Sequence, residues 1–201
     1  MTERVSAGAG AKAPEAGTLD GFLDELERPA PSACGGTAAA VAAAMAAALV
    51  TMVARGSSEW AEGAGIASQA RTLRARLTTL GADDAEAFER VLQTMRDRTG
   101  TPEQRDYALG EALVRAAEVP LEIAEVAADV AELAALAAAE GSPRLRPDAT
   151  AAATLAEAAV RAATHLVEIN LATVTGDSAS ERAASLSAAA SAARARALGT
   201  V

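Results

Sequence analysis

Aromatic residues, lysine, cysteine and histidine are all rare in this chain of 201 residues. Phenylalanine, tyrosine and tryptophan make up 2% of it, and the β-branched and aromatic runs that strands favour are nearly missing. The composition therefore argues against a sheet protein. With His165 as the sole histidine and Cys34 as the sole cysteine, zinc spacings, Ser-His-Asp or Cys-His sites and an intramolecular disulfide find no support. We expect no metal site.

Positive charge is also scarce, with 18 Lys and Arg against 27 Asp and Glu and a net charge of −9. Lys12 is the single lysine, and no basic run appears. Because nucleic-acid binding needs a basic patch, we predict no nucleic-acid partner. The single cysteine suits a reducing compartment, so we predict a cytoplasmic protein. Residues 1–17 are small and polar, which predicts a disordered tail rather than a signal peptide, with one domain over 18–201.

Alanine is what the chain has in abundance, with 58 residues. It is the best helix former, because it loses no side-chain entropy, and it lets helix axes approach closely. We predict an all-α fold, a single-domain bundle of about seven helices. Alanine buries little area per residue, so burial of further surface in an oligomer would help this core.

Apolar spacing and helix-ending residues predict where the helices lie. Thr18 is a plausible N-cap for the first, and Thr101, followed by Pro102, for the fourth. Pro120 is expected to begin or kink the fifth. The predicted helices cover about residues 21–27, 37–54, 60–97, 101–118, 120–140, 148–174 and 178–198.

The second predicted helix belongs to a stretch, residues 30–54, that carries no charge and is long enough to span a bilayer. However, alanine is barely apolar, Pro31, Gly35 and Gly36 interrupt the start, and neither flank has a basic cluster or an aromatic belt. We therefore predict a long buried alanine-rich helix and no membrane partner.

The loop before this helix, residues 31–37, reads Pro-Ser-Ala-Cys-Gly-Gly-Thr. It has two interpretations. Its glycines and threonine can simply cap the helix and allow a close approach of another element. Alternatively, bare backbone N–H groups at the helix start can hold an anion or a polar ligand.

Four polar residues are candidates for chemistry, each with a structural alternative. Asp84, next to Asp83, lies in a helix where at most one of the pair can face a cleft. Asp148 matches the dipole at a helix start. Asn170, between apolar neighbours, is either a structural tie or a ligand contact. His165 is either a packing residue or a proton-transfer group.

Five motifs in order resemble the formiminotetrahydrofolate cyclodeaminase / methenyltetrahydrofolate cyclohydrolase family. They cover about residues 18–175. The first is FLDELERPAPSACGGTAAA, similar to the family's FLDxLASxxPTPGGGSVAA. The others are residues 84–88 (DAEAF), 116–124 (AAEVPLEIA), 141–148 (GSPRLRPD) and 166–171 (LVEINL).

The resemblance implies an all-helical homodimer and a tetrahydrofolate substrate. A cyclohydrolase adds water to the methenyl cation and opens it to the formyl form, whereas a cyclodeaminase closes a formimino group and expels ammonia. Asp84 and Asp148 are then the candidate catalytic carboxylates. No cofactor beyond the folate substrate is expected. The implied substrate-binding residues are Gly35, Gly36, Thr37 and Asn170, and we add Cys34 and His165 as further substrate-binding candidates.

We favour hydrolysis of 5,10-methenyltetrahydrofolate to 10-formyltetrahydrofolate, since no formiminotransferase segment accompanies the chain. The sequence departs from the family pattern at several positions, including Ala33, Cys34, Ser142 and Leu166. Two alternatives therefore stay open. The scaffold could serve another cyclic amidine or iminium substrate, or the protein could be a non-catalytic helical dimer that binds a ligand or partner.

Overall fold

A computed structural model describes residues 18–28, 35–171 and 178–199. The predicted tail, residues 1–17, and the predicted ligand contact at Cys34 lie outside these ranges. The described residues form two compact units, 18–28 and 35–199, and we treat each by itself. The prediction of one domain over 18–201 stays a prediction.

Within the described ranges the chain is helical and contains no strand, which confirms the all-α prediction. A short 3₁₀ turn, Pro143–Leu145, precedes the fifth helix. The helices are α1 (Leu19–Leu26), α2 (Gly35–Gly56), α3 (Gly63–Arg96), α4 (Pro102–Glu140), α5 (Arg146–Asn170) and α6 (Ser178–Leu198).

Both predicted N-caps are confirmed. The Thr18 hydroxyl accepts a hydrogen bond from the Gly21 N–H at 3.1 Å. At α4, Thr101 and Gln104 form a reciprocal capping box, with Pro102 at the first helical position. Each cap satisfies backbone donors that the first turn leaves free.

Helix α4 continues through Pro120 for 39 residues, where we predicted two helices. The described ranges therefore hold six α-helices rather than seven. Pro120 is fully buried, and the packing around it offsets the cost of a proline inside a helix. Since proline has no N–H, the Ala116 carbonyl loses its usual helical donor.

Helix α2 runs antiparallel to α3. Near the start of α2, Gly81 of α3 lies against Thr37, where an added Cβ would be 3.7 Å from Cγ2. Near its end, Gly63 of α3 lies against Ala54, where an added Cβ would be 2.9 Å from the carbonyl oxygen. Contacts at both ends between small residues bring the two helix axes close together.

Helix α2 is also antiparallel to α5. Leu166, near the end of α5, lies beside Gly35, and Leu145, just before α5, lies beside Gly56. The main core of the larger unit is built mostly from alanine and valine side chains of α2 to α6.

Helices α3 and α4 extend past the start of α2. At 1.5 Å per residue, α3 spans about 51 Å and α2 about 33 Å. Beyond the start of α2, Val91 of α3 packs with Ala112 and Ala116 of α4 in a small separate cluster. The two long helices therefore continue as a pair beside the first turn of α2.

Among the described residues one helix, α2, is long and apolar enough to cross a membrane, with a mean hydropathy of 2.0 over its most apolar window. Half of that window is buried inside the bundle, and core helices pass the same test. Within the described part of the larger unit, no helix covers the opposite face of α2, since Met45 and Met52 are 49% and 40% exposed. The predicted buried helix is thus buried on one side.

Candidate active site

Asp84 is a carboxylate buried beside the first turn of α2. It is 6% exposed, and the Thr37 hydroxyl lies 3.3 Å from its Oδ2 atom. The same hydroxyl lies 3.0 Å from the Gly81 carbonyl oxygen, so its one proton is shared between two acceptors. Asp83 is exposed, which confirms that only one of the pair faces inward.

Glycine allows this arrangement. A Cβ added to Gly36 would lie 2.5 Å from Asp84 Oδ2 and closer still to other carboxylate atoms. Gly81, one turn before Asp84, lets α3 approach Thr37 and Ala40 closely. The positive end of the α2 dipole favours a negative charge at this position. The fold therefore places a buried acid beside the start of a helix.

The structure differs from the sequence prediction in where α2 begins. We predicted that Gly35 and Gly36 belong to a loop and that the helix starts at Thr37. Instead, all three residues form its first turn, and both Gly36 and Thr37 are buried. The glycines thus permit a close approach of Asp84, the first of the two interpretations of this segment. Whether their N–H groups also bind a ligand stays a prediction.

Asn170 lies at the end of α5 and contacts α4. Its Nδ2 atom donates a hydrogen bond to the Ala116 carbonyl oxygen at 2.7 Å. This is the carbonyl that Pro120 leaves without a helical donor. Of the two predicted roles, the structure shows the structural tie. A contact between Asn170 and a ligand stays a prediction.

Asp148 lies in the first turn of α5, at the opposite end of that helix from Leu166. Eighteen residues separate the two, which is about 27 Å along the helix. Because Leu166 lies beside Gly35, one chain does not bring Asp148 to Asp84. Its position fits the dipole-matching role, and a catalytic role stays a prediction.

His165 is on the surface, with its side chain 69% exposed and Nδ1 3.6 Å from a Glu168 carboxylate oxygen. It lines an open groove of about 670 Å³ between α5 and α6, together with Arg161, Thr164 and Ser187. None of the other predicted site residues lines this groove. His165 is therefore not a core packing residue. Its groove does not contain Asp84.

A larger groove, about 980 Å³, lies between α3 and α4. Its polar lining includes Glu62, Asp129 and Glu132, and no predicted site residue belongs to it. Burial raises the pKa of the Asp129 carboxyl, and the nearby Glu125 raises it further. This groove is acidic. Across the described ranges, no group of three or more potential metal ligands is close enough to hold a metal ion.

Three residues near Asp84 were not predicted as site residues. Gly81 and Phe88 lie three residues before and four residues after it on α3, and this helical spacing could have indicated a shared face. Phe88 is 36% exposed. Leu166 reaches Gly35 only through the tertiary packing of α5 on α2, which no local pattern encodes.

Comparison with known proteins places this chain in a family. The family described as Formiminotransferase-cyclodeaminase matches residues 18–198. A methenyltetrahydrofolate cyclohydrolase from Methylorubrum extorquens is 34% identical over 163 residues, which is 76% of this chain and 78% of that protein. A mouse formimidoyltransferase-cyclodeaminase is 32% identical over 170 residues, 80% of this chain and 31% of that protein.

The fold agrees with a solved structure as well. A formiminotetrahydrofolate cyclodeaminase from Thermotoga maritima superposes with a TM-score of 0.81 at 27% identity, over 90% of this chain and 94% of that one. The described part of the chain is therefore all-helical, and the protein is an enzyme of a family that acts on folate derivatives. It belongs to the formiminotransferase-cyclodeaminase family, as the five motifs indicated.

Proposed function

We propose that this protein is a folate one-carbon enzyme that hydrolyses 5,10-methenyltetrahydrofolate to 10-formyltetrahydrofolate. The observation that carries the proposal is the buried Asp84 carboxylate beside the glycine-rich first turn of α2. The match to most of the cyclohydrolase from Methylorubrum extorquens supports the reaction.

In this reaction water attacks the positively charged methenyl carbon between the two ring nitrogens. Asp84 accepts a proton from that water, and its negative charge stabilises the cation before attack. In the tetrahedral intermediate the bond from this carbon to one nitrogen then breaks while the proton held by Asp84 passes to that nitrogen. Loss of the hydroxyl proton to solvent leaves a formyl group on the other nitrogen. A carboxylate that bulk water barely reaches interacts more strongly with such a cation than an exposed one.

The substrate would lie on the side of Asp84 beyond the start of α2. Phe88 is seven residues after Gly81, two turns further along α3 on the face toward α2. It therefore lies about 10 Å past Gly81, beyond the first residue of α2. Its partly exposed ring is suited to stack on a flat heterocycle, and Gly35, Gly36 and Thr37 supply backbone contacts.

The acidic groove between α3 and α4 is a poorer candidate. Folates carry glutamate carboxylates, which Glu62, Asp129 and Glu132 would repel. We therefore assign the site by the position of Asp84 rather than by groove size.

Cyclodeamination is the second candidate reaction. The superposition on 94% of the cyclodeaminase from Thermotoga maritima favours it. Both reactions pass through a tetrahedral one-carbon centre and need the same carboxylate and proton transfer, so the site geometry serves either.

The test is a direct assay of purified protein. With methenyltetrahydrofolate, the loss of substrate absorbance should exceed the spontaneous rate. With formiminotetrahydrofolate, ammonia release measures the alternative. No acceleration of the first reaction at micromolar protein would contradict the cyclohydrolase proposal. Acceleration of the second alone would assign the protein as a cyclodeaminase. Acceleration of neither would favour the two alternatives, another cyclic amidine or iminium substrate or a non-catalytic helical dimer.

The uncovered face of α2 supports a homodimer. Val41, Met45, Ala48 and Met52 follow one another at helical spacing on this face, and the stretch carries no charge. In such a dimer the apolar side chains of two copies would cover each other. Sedimentation should give twice the chain mass, and Met45→Glu should shift the protein toward the monomer. A monomeric wild-type protein at micromolar concentration would contradict this. The cytoplasmic location stays a prediction.

A further inference from the structure

We infer that Asn170 is a positioning residue for the site around Asp84, because its side-chain amide joins α5 to α4 at Pro120 and so holds the end of α5 against the first turn of α2. This inference rests on the proposed function at Asp84, and it gives Asn170 a role other than substrate contact.

Asn170 donates its hydrogen bond to a backbone carbonyl that lacks its helical donor. In a regular helix the N–H of residue 120 would donate to the Ala116 oxygen, but Pro120 has no N–H. Ala116 is 8% exposed, so its carbonyl has little access to water. A buried acceptor without a donor is costly. The Asn170 amide supplies the missing donor at 2.7 Å.

Apolar side chains of α4 and α5 pack around this hydrogen bond. Val167 and Leu171, on either side of Asn170, are buried in a small cluster with Ala117 of α4. Leu121 of α4 packs against the same cluster. The hydrogen bond therefore joins two helices at a partly buried contact beside apolar side chains, where loss of one partner leaves the other poorly satisfied.

Leu166 connects the end of α5 to the first turn of α2. Leu166 lies one helical turn before Asn170, and its Cδ1 atom is 3.7 Å from the Cβ position of Gly35. The two residues after Gly35 are those that contact the Asp84 carboxylate. A displacement of the end of α5 would therefore move backbone atoms within two residues of the site.

The experiment uses the full chain with four variants: Asn170→Ala, Pro120→Ala, the double variant, and Glu168→Ala as a control. Glu168 is on the same helix and its side chain is 64% exposed. Three properties are measured: the unfolding equilibrium in urea, hydrogen exchange in the first turn of α2, and kcat and KM of the cyclohydrolase reaction. Exchange in the first turn is measured at the N–H groups of residues 39–42, which donate to the carbonyls of residues 35–38.

In the wild-type background we expect Asn170→Ala to raise the unfolding equilibrium constant about tenfold. In the Pro120→Ala background the same substitution should raise it about twofold or less, because a backbone N–H now serves the Ala116 carbonyl. An equal increase of the unfolding equilibrium constant in both backgrounds would contradict the role of Asn170 as the donor that replaces the missing N–H. Glu168→Ala should leave all three measurements close to wild type.

The positioning role predicts something that stability alone does not. The first turn of α2 should exchange about tenfold faster in Asn170→Ala, and kcat should fall about tenfold with KM within about twofold. Pro120→Ala should restore stability to the double variant without restoring either property. A raised KM with unchanged kcat would identify a substrate contact instead. If the double variant showed wild-type exchange and kcat, Asn170 would have only a structural role.

Hydrogen exchange does not depend on the reaction. If the protein proves inactive on methenyltetrahydrofolate, the proposed function fails, and exchange in the first turn of α2 still decides whether Asn170 positions it. Unchanged exchange in Asn170→Ala would overturn the inference whatever the activity.

Discussion

The carboxylate of Asp84 occupies the space that a side chain at Gly36 would need. A Cβ at Gly36 would overlap this group, with Oδ2 2.5 Å away. The two residues belong to different helices, 48 positions apart in the chain. A single methyl group at Gly36 would therefore move a buried acid that we place at the centre of the site.

We expect Gly36→Ala to destabilise the protein by about 1–3 kcal/mol, the usual cost of overpacking a core. It should also lower kcat/KM at least tenfold, because Asp84 can no longer lie against the first turn. Urea denaturation and the cyclohydrolase assay measure the two effects.

Gly35→Ala is the matched control for stability. A Cβ at Gly35 would meet Leu166 at 3.7 Å, which is an ordinary van der Waals contact. We expect a change in unfolding free energy of about 0.5 kcal/mol or less. An equal loss of stability in both variants would show that the neighbouring carboxylate is not the cause.

The Thr37 hydroxyl provides a second test of the same contact. Thr37→Val keeps the side-chain shape but removes the donor to the Gly81 carbonyl and to Asp84. We expect a loss of about 1–3 kcal/mol, since two buried acceptors lose a partner, and a fall in activity. Thr37→Ser retains the hydroxyl and should keep most of the activity. A serine variant as inactive as the valine variant would contradict a role for the hydroxyl.

Asp84 and Asp148 were both predicted to be catalytic, and their positions give different expectations. Asp84→Asn should lower kcat/KM by about 10²–10⁴, the range for loss of a general base. Asp148→Asn should cost about 0.3–1 kcal/mol of stability through the lost dipole interaction and leave the rate near wild type. A loss of rate at Asp148 as large as that at Asp84 would contradict this, and it would mean that Asp148 reaches a site in an assembly.

Local sequence rules predicted most of the fold. Alanine abundance and apolar spacing gave the all-α class, and the capping residues Thr18 and Thr101 were placed correctly because caps are local hydrogen-bond patterns. The join of two predicted helices at Pro120 was missed. Pro120 is buried by its neighbours, and Asn170, 50 residues later, donates a hydrogen bond to the freed carbonyl, so both conditions depend on tertiary packing.

The site was predictable only in part. Motif spacing selected Asp84, and helix geometry said that Asp83 would point elsewhere. The distance of Asp148 from Asp84 depends on the antiparallel packing of α2 and α5, which local patterns do not encode. The surface position of His165 also depends on packing, because its neighbours in sequence are a mixture of buried and exposed residues.

Phe88 tests the orientation of the substrate. If its ring stacks on the heterocycle, Phe88→Leu should raise KM about 5- to 150-fold, in line with about 1–3 kcal/mol for aromatic stacking on a base. The change in kcat should be small, because leucine does not alter Asp84. Steady-state kinetics measure both. Tyr107→Leu is the control, since Tyr107 is an aromatic residue on α4 and 70% exposed. An unchanged KM for Phe88→Leu would place the heterocycle elsewhere.

Asp129 gives a pH-dependent prediction, because burial raises the pKa of its carboxyl in the folded chain and Glu125 adds to the effect. Between the ordinary pKa of 3.8 and the raised value, the folded state holds more protons than the unfolded state, so this group lowers stability as pH rises. Asp129→Asn should therefore stabilise the protein at pH 7. The gain should be less than about 1 kcal/mol, because neighbouring residues shield the carboxyl only in part and solvent still screens its charge. The gain should vanish below pH 3.8. Urea denaturation at both pH values measures it, with the exposed Asp106→Asn as control. A gain that persists unchanged at low pH would show that charge is not its cause.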